Sequence, residues 1–280
     1  MEILSISNST KIAPLFLSKY EEDAVLQLKQ HIERYLSPNK FKEGPHHNPF
    51  IVQFLRNAKR DEQLLLHYLQ GRKHNVSETW NTLRMYAENR FQFYPHLFVG
   101  RFNEKYRNLL KNHVCGALKN KDDFGRRIVF MDTTKWDVNE YSLDDLIATI
   151  VIGAERFWRD PEVLGNGLVV VENSRGFNSS HAKQLTLPQL MAIRNIYQSF
   201  PISVQGLYYI GVPYLLTLVF KMGKHLMPKK LRSRLYFYYE NQKPKELHEI
   251  AAPEILADWM GGNLPIEEAA EDYSFFEKYF

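Results

Sequence analysis

The chain has 280 residues, 44% of them hydrophobic and 24% charged, and a formal net charge of +4. These values are typical of an ordinary globular protein with one large domain or two modest ones. The single cysteine, Cys115, excludes an intrachain disulfide and argues against a cysteine-based metal site, so we expect a cytoplasmic protein. The first residues lack the features of a signal peptide, and no run approaches the ~18–20 apolar residues of a membrane span.

Apolar residues spaced by three and four predict helices in the first hundred residues. The predicted helices are residues 21–36, 48–58, 61–71 and 76–93. Residues 37–49 hold three prolines, a glycine and the pair His46 and His47. We expect a connector there, with histidines that are solvated rather than bound to metal.

From about residue 105 the pattern changes to strands that alternate with helices. Ser142, with Asp145 three residues later, predicts a helix cap. The predicted strands are residues 126–132, 168–173, 206–211 and 235–239, and the predicted helices are residues 146–158, 188–199, 213–222 and 244–250. This alternation predicts an α/β fold with a mostly parallel sheet. We expect an N-terminal all-helical lobe (1–104), a sheet-containing lobe (105–265) and a docked tail (266–280).

Motifs of common catalytic and nucleotide sites are missing from the sequence. The chain has no GxSxG, GxxxxGK[ST], GxGxxG or HExxH motif. Cys115 has no local partner that would activate it as a nucleophile, so a packed thiol is favoured. We therefore expect a protein without catalysis, cofactor or bound metal.

The predicted helix at residues 213–222 is apolar on nearly all sides. It is either a fully buried core helix or a lid between an apolar cavity and water or membrane. A basic stretch without acidic residues follows. Its cations are Lys221, Lys224, Lys229, Lys230, Arg232 and Arg234. Beside an exposed apolar helix, this stretch favours attachment to an anionic membrane over nucleic acid or a merely solvated face.

In order and spacing, several segments resemble the CRAL-TRIO lipid-binding family over residues 61–265. The N-terminal motifs, within residues 61–98, are LLLHYLQGRKHNVSETW and YPHLF. Those of the second lobe are GRRIVF, LVVVEN with its following GF, SFP, the apolar helix and MGGNLP. The resemblance implies a sheet-floored pocket that holds one lipid, a mobile gate helix at residues 213–222, and transfer without chemistry.

The residues after SFP bear on the ligand. Phosphatidylinositol-binding members of the family carry a glutamate where this chain has Ile202. The chain is therefore more similar to the α-tocopherol transfer and retinaldehyde-binding branch, whose ligands lack a charged headgroup. That branch has basic residues at the positions of Ser203 and Gln205, and others that match Lys230 and Arg234. Half of its phosphoinositide-binding cluster is thus present, which implies a general attraction to anionic membranes.

Glu172 directly follows the apolar run LVVV, and strand alternation places it on the same face as Val170. Three interpretations compete. The carboxylate pairs with an arginine such as Arg126, Arg127 or Arg156. Alternatively, it is a buried acid that hydrogen-bonds a ligand hydroxyl or carbonyl, as the EN and GF pattern shared with the retinaldehyde-binding branch implies. The third interpretation is that the strand ends early and leaves the side chain in water.

Together these features predict a monomeric cytoplasmic carrier of one hydrophobic small molecule, a retinoid, tocopherol or carotenoid-like isoprenoid, with peripheral membrane association. The alternative is a phosphoinositide-sensing adaptor that presents lipid to a signalling partner. The predicted pocket residues are Ile147, Ile150, Ala154, Leu168, Val170, Glu172, Phe177, Ile196, Ile202, Val204, Leu207, Leu215, Val219 and Met222. The six cations of the basic stretch are the predicted membrane contacts.

Overall fold

The N-terminal lobe consists of helices. The computed structural model describes residues 18–37, 48–99 and 102–277, so His46, His47 and the chain start lie outside the described residues. The first helices are α1 (Lys19–Leu36), α2 (Pro49–Arg60), α3 (Glu62–Gly71) and α4 (Val76–Glu88), which continues as a π-helical turn, Asn89–Phe93. The four predicted helices are confirmed.

A five-stranded sheet forms the floor of the second lobe. Its strands, in spatial order, are β1 (Cys115–Lys121), β2 (Arg127–Asp132), β3 (Leu168–Asn173), β4 (Val204–Ile210) and β5 (Leu235–Tyr238). β1 pairs with β2 in antiparallel fashion, and the other three pairs are parallel. This confirms the predicted mostly parallel sheet and adds β1 as an edge strand.

Helices connect and cover these strands. They are α5 (Glu104–Lys111), α6 (Leu143–Phe157), α7 (Pro161–Asn166), α8 (Ser179–Gln184), α9 (Leu187–Ser199), α10 (Tyr214–Gly223), α11 (Lys229–Arg232), α12 (Lys245–His248), α13 (Ile266–Ala269) and α14 (Ser274–Glu277). Ser142 and Asp145 form the predicted capping box of α6. Phe276 in the tail is buried against Phe157 of α6, so the described part of the tail docks on the body. Among the helices described, none has the length and hydropathy needed to span a bilayer.

The two faces of the sheet pack against different parts of the chain. The outer face, which includes Ile128 and Val169, packs against the C-terminal segment around Leu256 and Met260. The inner face packs against side chains of α6, α9 and α10. Because both faces of β3 contact apolar side chains, the sequence from Leu168 to Val171 is an unbroken apolar run rather than an alternation.

A buried carboxylate joins the two lobes. Glu155 of α6 accepts hydrogen bonds from Tyr86 Oη at 2.5 Å and from Arg90 Nη1 at 2.8 Å, both from the α4 region. Trp158 Nε1 donates to the same carboxylate at 3.1 Å. A buried acid is tolerated when its charge is matched and its oxygens are hydrogen-bonded, and this site meets both conditions.

We expect Glu155→Gln to lower the free energy of unfolding by about 3–5 kcal/mol, because Arg90 stays buried without its anionic partner. Urea denaturation measures the loss. The matched control is Glu33→Gln, which breaks the exposed pair with Lys59 and should cost less than ~1 kcal/mol. Similar losses in the two variants would contradict the role of Glu155 in holding the lobes together.

Candidate functional site

Two rows of side chains cross the inner face, since residues in register on neighbouring strands point to the same side of a sheet. From β2 to β5, the first row contains Met131, Glu172, Tyr209 and Phe237, and the second contains Val129, Val170, Leu207 and Leu235. Glu172 is the one carboxylate among these eight residues. The inner face is thus an apolar and aromatic surface with a single acidic group.

This surface is incompletely covered although it lies on central strands. Val170 and Glu172 are partly exposed, whereas Val169 and Val171 of the same strand are 0% exposed. The inner-face Val129 differs from its buried neighbour Ile128 in the same way. The helices above the sheet therefore leave apolar area on the inner face open, which is the property expected of a site for a hydrophobic ligand.

α10 covers one end of the inner face. The ring of Phe220 meets those of Tyr209 and Phe237 edge to face, with centroids 4.8 and 4.9 Å apart. Leu215 and Val219 belong to the same apolar cluster. These contacts place the predicted gate helix directly over the row that contains Glu172.

The opposite side of α10 faces solvent. Leu216 is its one buried residue, while Tyr214 and Met222 are 74% and 76% exposed. The hydroxyl of Thr217 is buried and has no hydrogen-bond partner among the described residues. The interpretation of this segment as a fully buried core helix is therefore wrong.

Glu172 keeps its carboxyl group among apolar neighbours. The Ser174 hydroxyl donates to Glu172 Oε1 at 3.1 Å, and no cationic side chain within the described ranges pairs with it. Burial raises the pKa of Glu172 to about 7, and the hydrogen bond from Ser174 opposes the shift only in part. The negative form of Glu172 in turn raises the pKa of Tyr209, which burial already raises. Near neutral pH, both forms of Glu172 are therefore populated.

Two of the three interpretations of Glu172 are wrong. The candidate arginines lie elsewhere: Arg126 pairs with Asp122, Arg127 pairs with Glu271, and Arg156 lies over the ring of Phe275. β3 continues to Asn173 and pairs on both sides, so the strand does not end before Glu172. The interpretation that agrees with the geometry is a buried acid facing an apolar surface.

The predicted pocket residues fall into three groups. On the inner face, beside it or in the apolar cluster that α10 forms with it lie Ala154, Leu168, Val170, Glu172, Phe177, Leu207, Leu215 and Val219. Buried within the hydrophobic core are Ile147, Ile196, Ile202 and Val204. Ile150 and Met222 are 48% and 76% exposed, so neither is enclosed.

Four residues around Glu172 are missing from the sequence prediction. They are Met131, Tyr209, Phe220 and Phe237. Alternation along β4 and β5 identifies which of their residues share a face. It does not reveal which of them lies beside Glu172, because that depends on the register between strands distant in sequence.

The cations of the basic stretch differ in their surroundings. Lys221, Lys224, Lys229 and Lys230 are exposed. Arg234 is partly exposed, and its guanidinium donates to the carbonyl oxygen of Val204 at the start of β4. In the described part of the chain, no group of three His, Cys, Asp or Glu side chains is placed to hold a metal ion.

Several known proteins are similar to this chain. Clavesin-2 of Rattus norvegicus is 29% identical over 216 residues, which cover 76% of this chain and 64% of clavesin-2. Clavesin-1 of Mus musculus is 26% identical over 277 residues, which cover 90% of this chain and 76% of clavesin-1. The match thus spans under two thirds of the length of clavesin-2.

The crystal structure of Sfh5 has a similar fold. It superposes with a TM-score of 0.54 at 13% sequence identity and covers 92% of this chain and 93% of Sfh5. A model of the CRAL/TRIO domain family matches residues 111–262, more than half of the chain. This protein therefore belongs to the CRAL/TRIO lipid-binding family, as its motifs predict.

Proposed function

We propose that the protein is a cytoplasmic, non-catalytic carrier that binds one hydrophobic small molecule on the inner face of the sheet and delivers it to membranes. The observation that carries this proposal is the open apolar surface around Glu172, directly beneath α10. Covering apolar area is worth roughly 25 cal/mol per Å², so a ligand that matches this surface gains most of its affinity there. Membership of the CRAL/TRIO family supports the same conclusion.

The ligand class follows from the single acidic group on that surface. A compact isoprenoid with one polar end, such as a retinoid, a tocopherol or a carotenoid-like molecule, would place its apolar body against the rows. Its hydroxyl or carbonyl would meet the carboxyl group of Glu172. A phospholipid would need several polar partners, cationic ones among them, for its headgroup, and the two rows supply one carboxylate and one tyrosine hydroxyl.

Native mass spectrometry of the purified protein, followed by organic extraction, tests the ligand class. One co-purified isoprenoid is the expected result. A phospholipid would instead support the alternative of an adaptor that presents lipid to a signalling partner.

We expect Glu172→Leu to weaken binding of retinol by roughly three- to tenfold, because it removes one hydrogen bond worth about 0.5–1.5 kcal/mol. The hydrocarbon that lacks the terminal oxygen should bind the variant at least as well as it binds the wild type. Fluorescence titration measures both affinities. Glu172→Gln is the matched control, since its amide keeps the shape and the hydrogen-bonding capacity. Equal losses for retinol and the hydrocarbon would exclude a polar contact.

Because the pKa of Glu172 is about 7, ligand affinity should depend on pH, and differently for a carbonyl end than for a hydroxyl end. A carbonyl accepts a hydrogen bond only from protonated Glu172, so affinity for retinal should fall as pH rises through about 7. The limiting slope is ~tenfold per pH unit for one linked proton. Retinol can donate to the carboxylate and should keep its affinity. Affinities measured between roughly pH 5.5 and pH 8.5 bracket this pKa, and Glu172→Gln is the control. If the affinity for retinal does not change over this range, the proposed contact is contradicted.

The same raised pKa affects the ligand-free protein. The pKa of Glu172 in the folded chain lies above its ordinary value of 4.5, so between these two pH values the folded state binds a proton that the unfolded state has lost. The stabilisation of the folded state by this proton is complete below about pH 4.5 and is lost as pH rises through about 7. The free energy of unfolding, measured by urea denaturation, should therefore depend less on pH between these two values in Glu172→Gln than in the wild type.

Delivery requires that α10 move away from the inner face at a membrane. The exposed lysines beside α10 supply the attraction, because each cation near an anionic surface contributes about 1 kcal/mol. We expect Lys224→Gln, Lys229→Gln and Lys230→Gln together to slow retinol transfer to phosphatidylserine-containing vesicles at least ~tenfold and to leave retinol binding unchanged. Arg234 is left unchanged in this variant because its guanidinium donates a hydrogen bond to the Val204 carbonyl oxygen.

The control for charge is a triple variant of three exposed lysines elsewhere, Lys19→Gln, Lys111→Gln and Lys245→Gln. It changes the net charge by the same amount and should transfer retinol at the wild-type rate. Stopped-flow energy transfer from protein to labelled vesicles measures these rates. If the two triple variants transfer equally well, the basic stretch has no part in delivery.

A further inference from the structure

One part of the chain is free of acidic residues over an unusual length. The 67 residues from Asn173 to Tyr239 contain no Asp or Glu, although the whole chain has 32 of them in 280 residues. The same segment contains nine Lys and Arg residues. It includes α8, α9, α10 and α11, so the acid-free segment extends well beyond the basic stretch after α10.

Within this segment, α9 also exposes apolar side chains. Leu187 and Met191 are 60% and 42% exposed, and their spacing of four places them on one face of the helix. Arg194, three residues after Met191, is exposed and continues the same face. These three residues form what we call the α9 face.

The opposite side of α9 is fixed to the N-terminal lobe. Ala192 and Ile196 are buried. The Asn89 side chain donates to Ser199 Oγ at 2.7 Å and to the Asn195 carbonyl at 3.2 Å. The Asn195 side chain donates to Tyr94 Oη at 3.1 Å. α9 is therefore anchored by hydrogen bonds as well as packing, in contrast to α10 with its single buried residue.

α9 and α10 meet where the exposed residues of both helices adjoin. The Leu190 side chain lies 3.8 Å from the position of a Cβ at Gly223. Leu187 lies about one helical turn before Leu190 and Met191 directly follows it, and the exposed Met222 directly precedes Gly223. Apolar side chains of the two helices thus border the same contact, with Lys221 and Lys224 close by in sequence.

We propose that the α9 face is a second membrane anchor, which stays inserted in an anionic bilayer while α10 moves. This inference rests on the proposed delivery of ligand to membranes and extends it to the solvent-facing side of α9. The occupant is a lipid bilayer because exposed apolar side chains and the exposed Arg194 lie together on a segment that has nine cations and no acid, the combination that anionic membranes bind. A fixed anchor keeps the protein in place during the time that the gate is open.

Vesicle co-sedimentation tests the anchor. The variant Leu187→Gln with Met191→Gln should bind vesicles of equal parts phosphatidylcholine and phosphatidylserine about tenfold more weakly, because two apolar side chains no longer insert. Its thermal midpoint and its affinity for retinol should match the wild type, since both side chains are exposed. Leu26→Gln is the matched control: Leu26 is 55% exposed on α1, and its loss should leave vesicle binding unchanged.

Comparison with α10 separates this inference from the proposed function. If Leu218→Gln with Met222→Gln weakens vesicle binding but the α9 variant binds as the wild type, the anchor is wrong and delivery through α10 stands. If the wild type fails to bind these vesicles at all, the proposed delivery itself fails. A wild-type dimer in analytical ultracentrifugation that the α9 variant dissociates would assign the face to a second copy of the chain and overturn the anchor.

Insertion of the α9 face can also be observed directly with a fluorescent dye, independently of the affinity of the protein for vesicles. Leu187→Cys carries an environment-sensitive dye, and labelling is selective because Cys115 is buried and its pKa is raised to about 12. The dye emission should shift to the blue on addition of the mixed vesicles and stay unchanged with phosphatidylcholine alone. An unchanged spectrum with the mixed vesicles, under conditions where the protein co-sediments with them, would overturn the proposal.

Discussion

β3 lies between two parallel neighbours, and the candidate site depends on this constraint. Every residue of β3 has a register partner on both sides, so the strand cannot rotate Glu172 towards bulk water without losing ladder hydrogen bonds. The carboxyl group is therefore held in a low-dielectric setting, where its neutral form is favoured. The central position of the strand therefore contributes to the raised pKa of Glu172.

α6 connects the site to the rest of the molecule. One side of the helix carries Glu155, which binds the N-terminal lobe through Tyr86 and Arg90. The side chain of Ala154, next to it, packs against the hydrophobic core. The buried pair of Glu155 and Arg90 therefore fixes one of the helices that pack against the inner face of the sheet.

α9 and α10 differ in how firmly they are held, and this difference has a functional consequence. α9 is hydrogen-bonded to the N-terminal lobe, whereas α10 rests on Phe220 and a small apolar cluster and leaves the buried Thr217 hydroxyl without a partner in the described structure. Little has to be broken to displace α10. A firmly held helix beside a weakly held one is the arrangement that the proposed delivery requires, in which α10 moves while α9 stays in place.

The sequence by itself determined the elements with strong local signals. Helical spacing and caps such as Ser142 located the longer helices, the run LVVV located β3, and alternation placed Glu172 on the face of Val170. The motifs identified the family. The sequence did not reveal β1, whose second half is polar and exposed, or short helices such as α7, which are too brief to show a period.

Only the tertiary structure decided the surroundings of Glu172. Strand register places Tyr209 and Phe237 in the same row as Glu172. Arg126 and Arg127 form ion pairs with other acids and not with Glu172. Tertiary packing also decided that Met222 is exposed rather than enclosed. Local sequence encodes which side of an element is apolar, since periodicity depends only on neighbours in the chain. Which partner covers that side, and whether it is covered at all, depends on contacts between segments far apart in sequence.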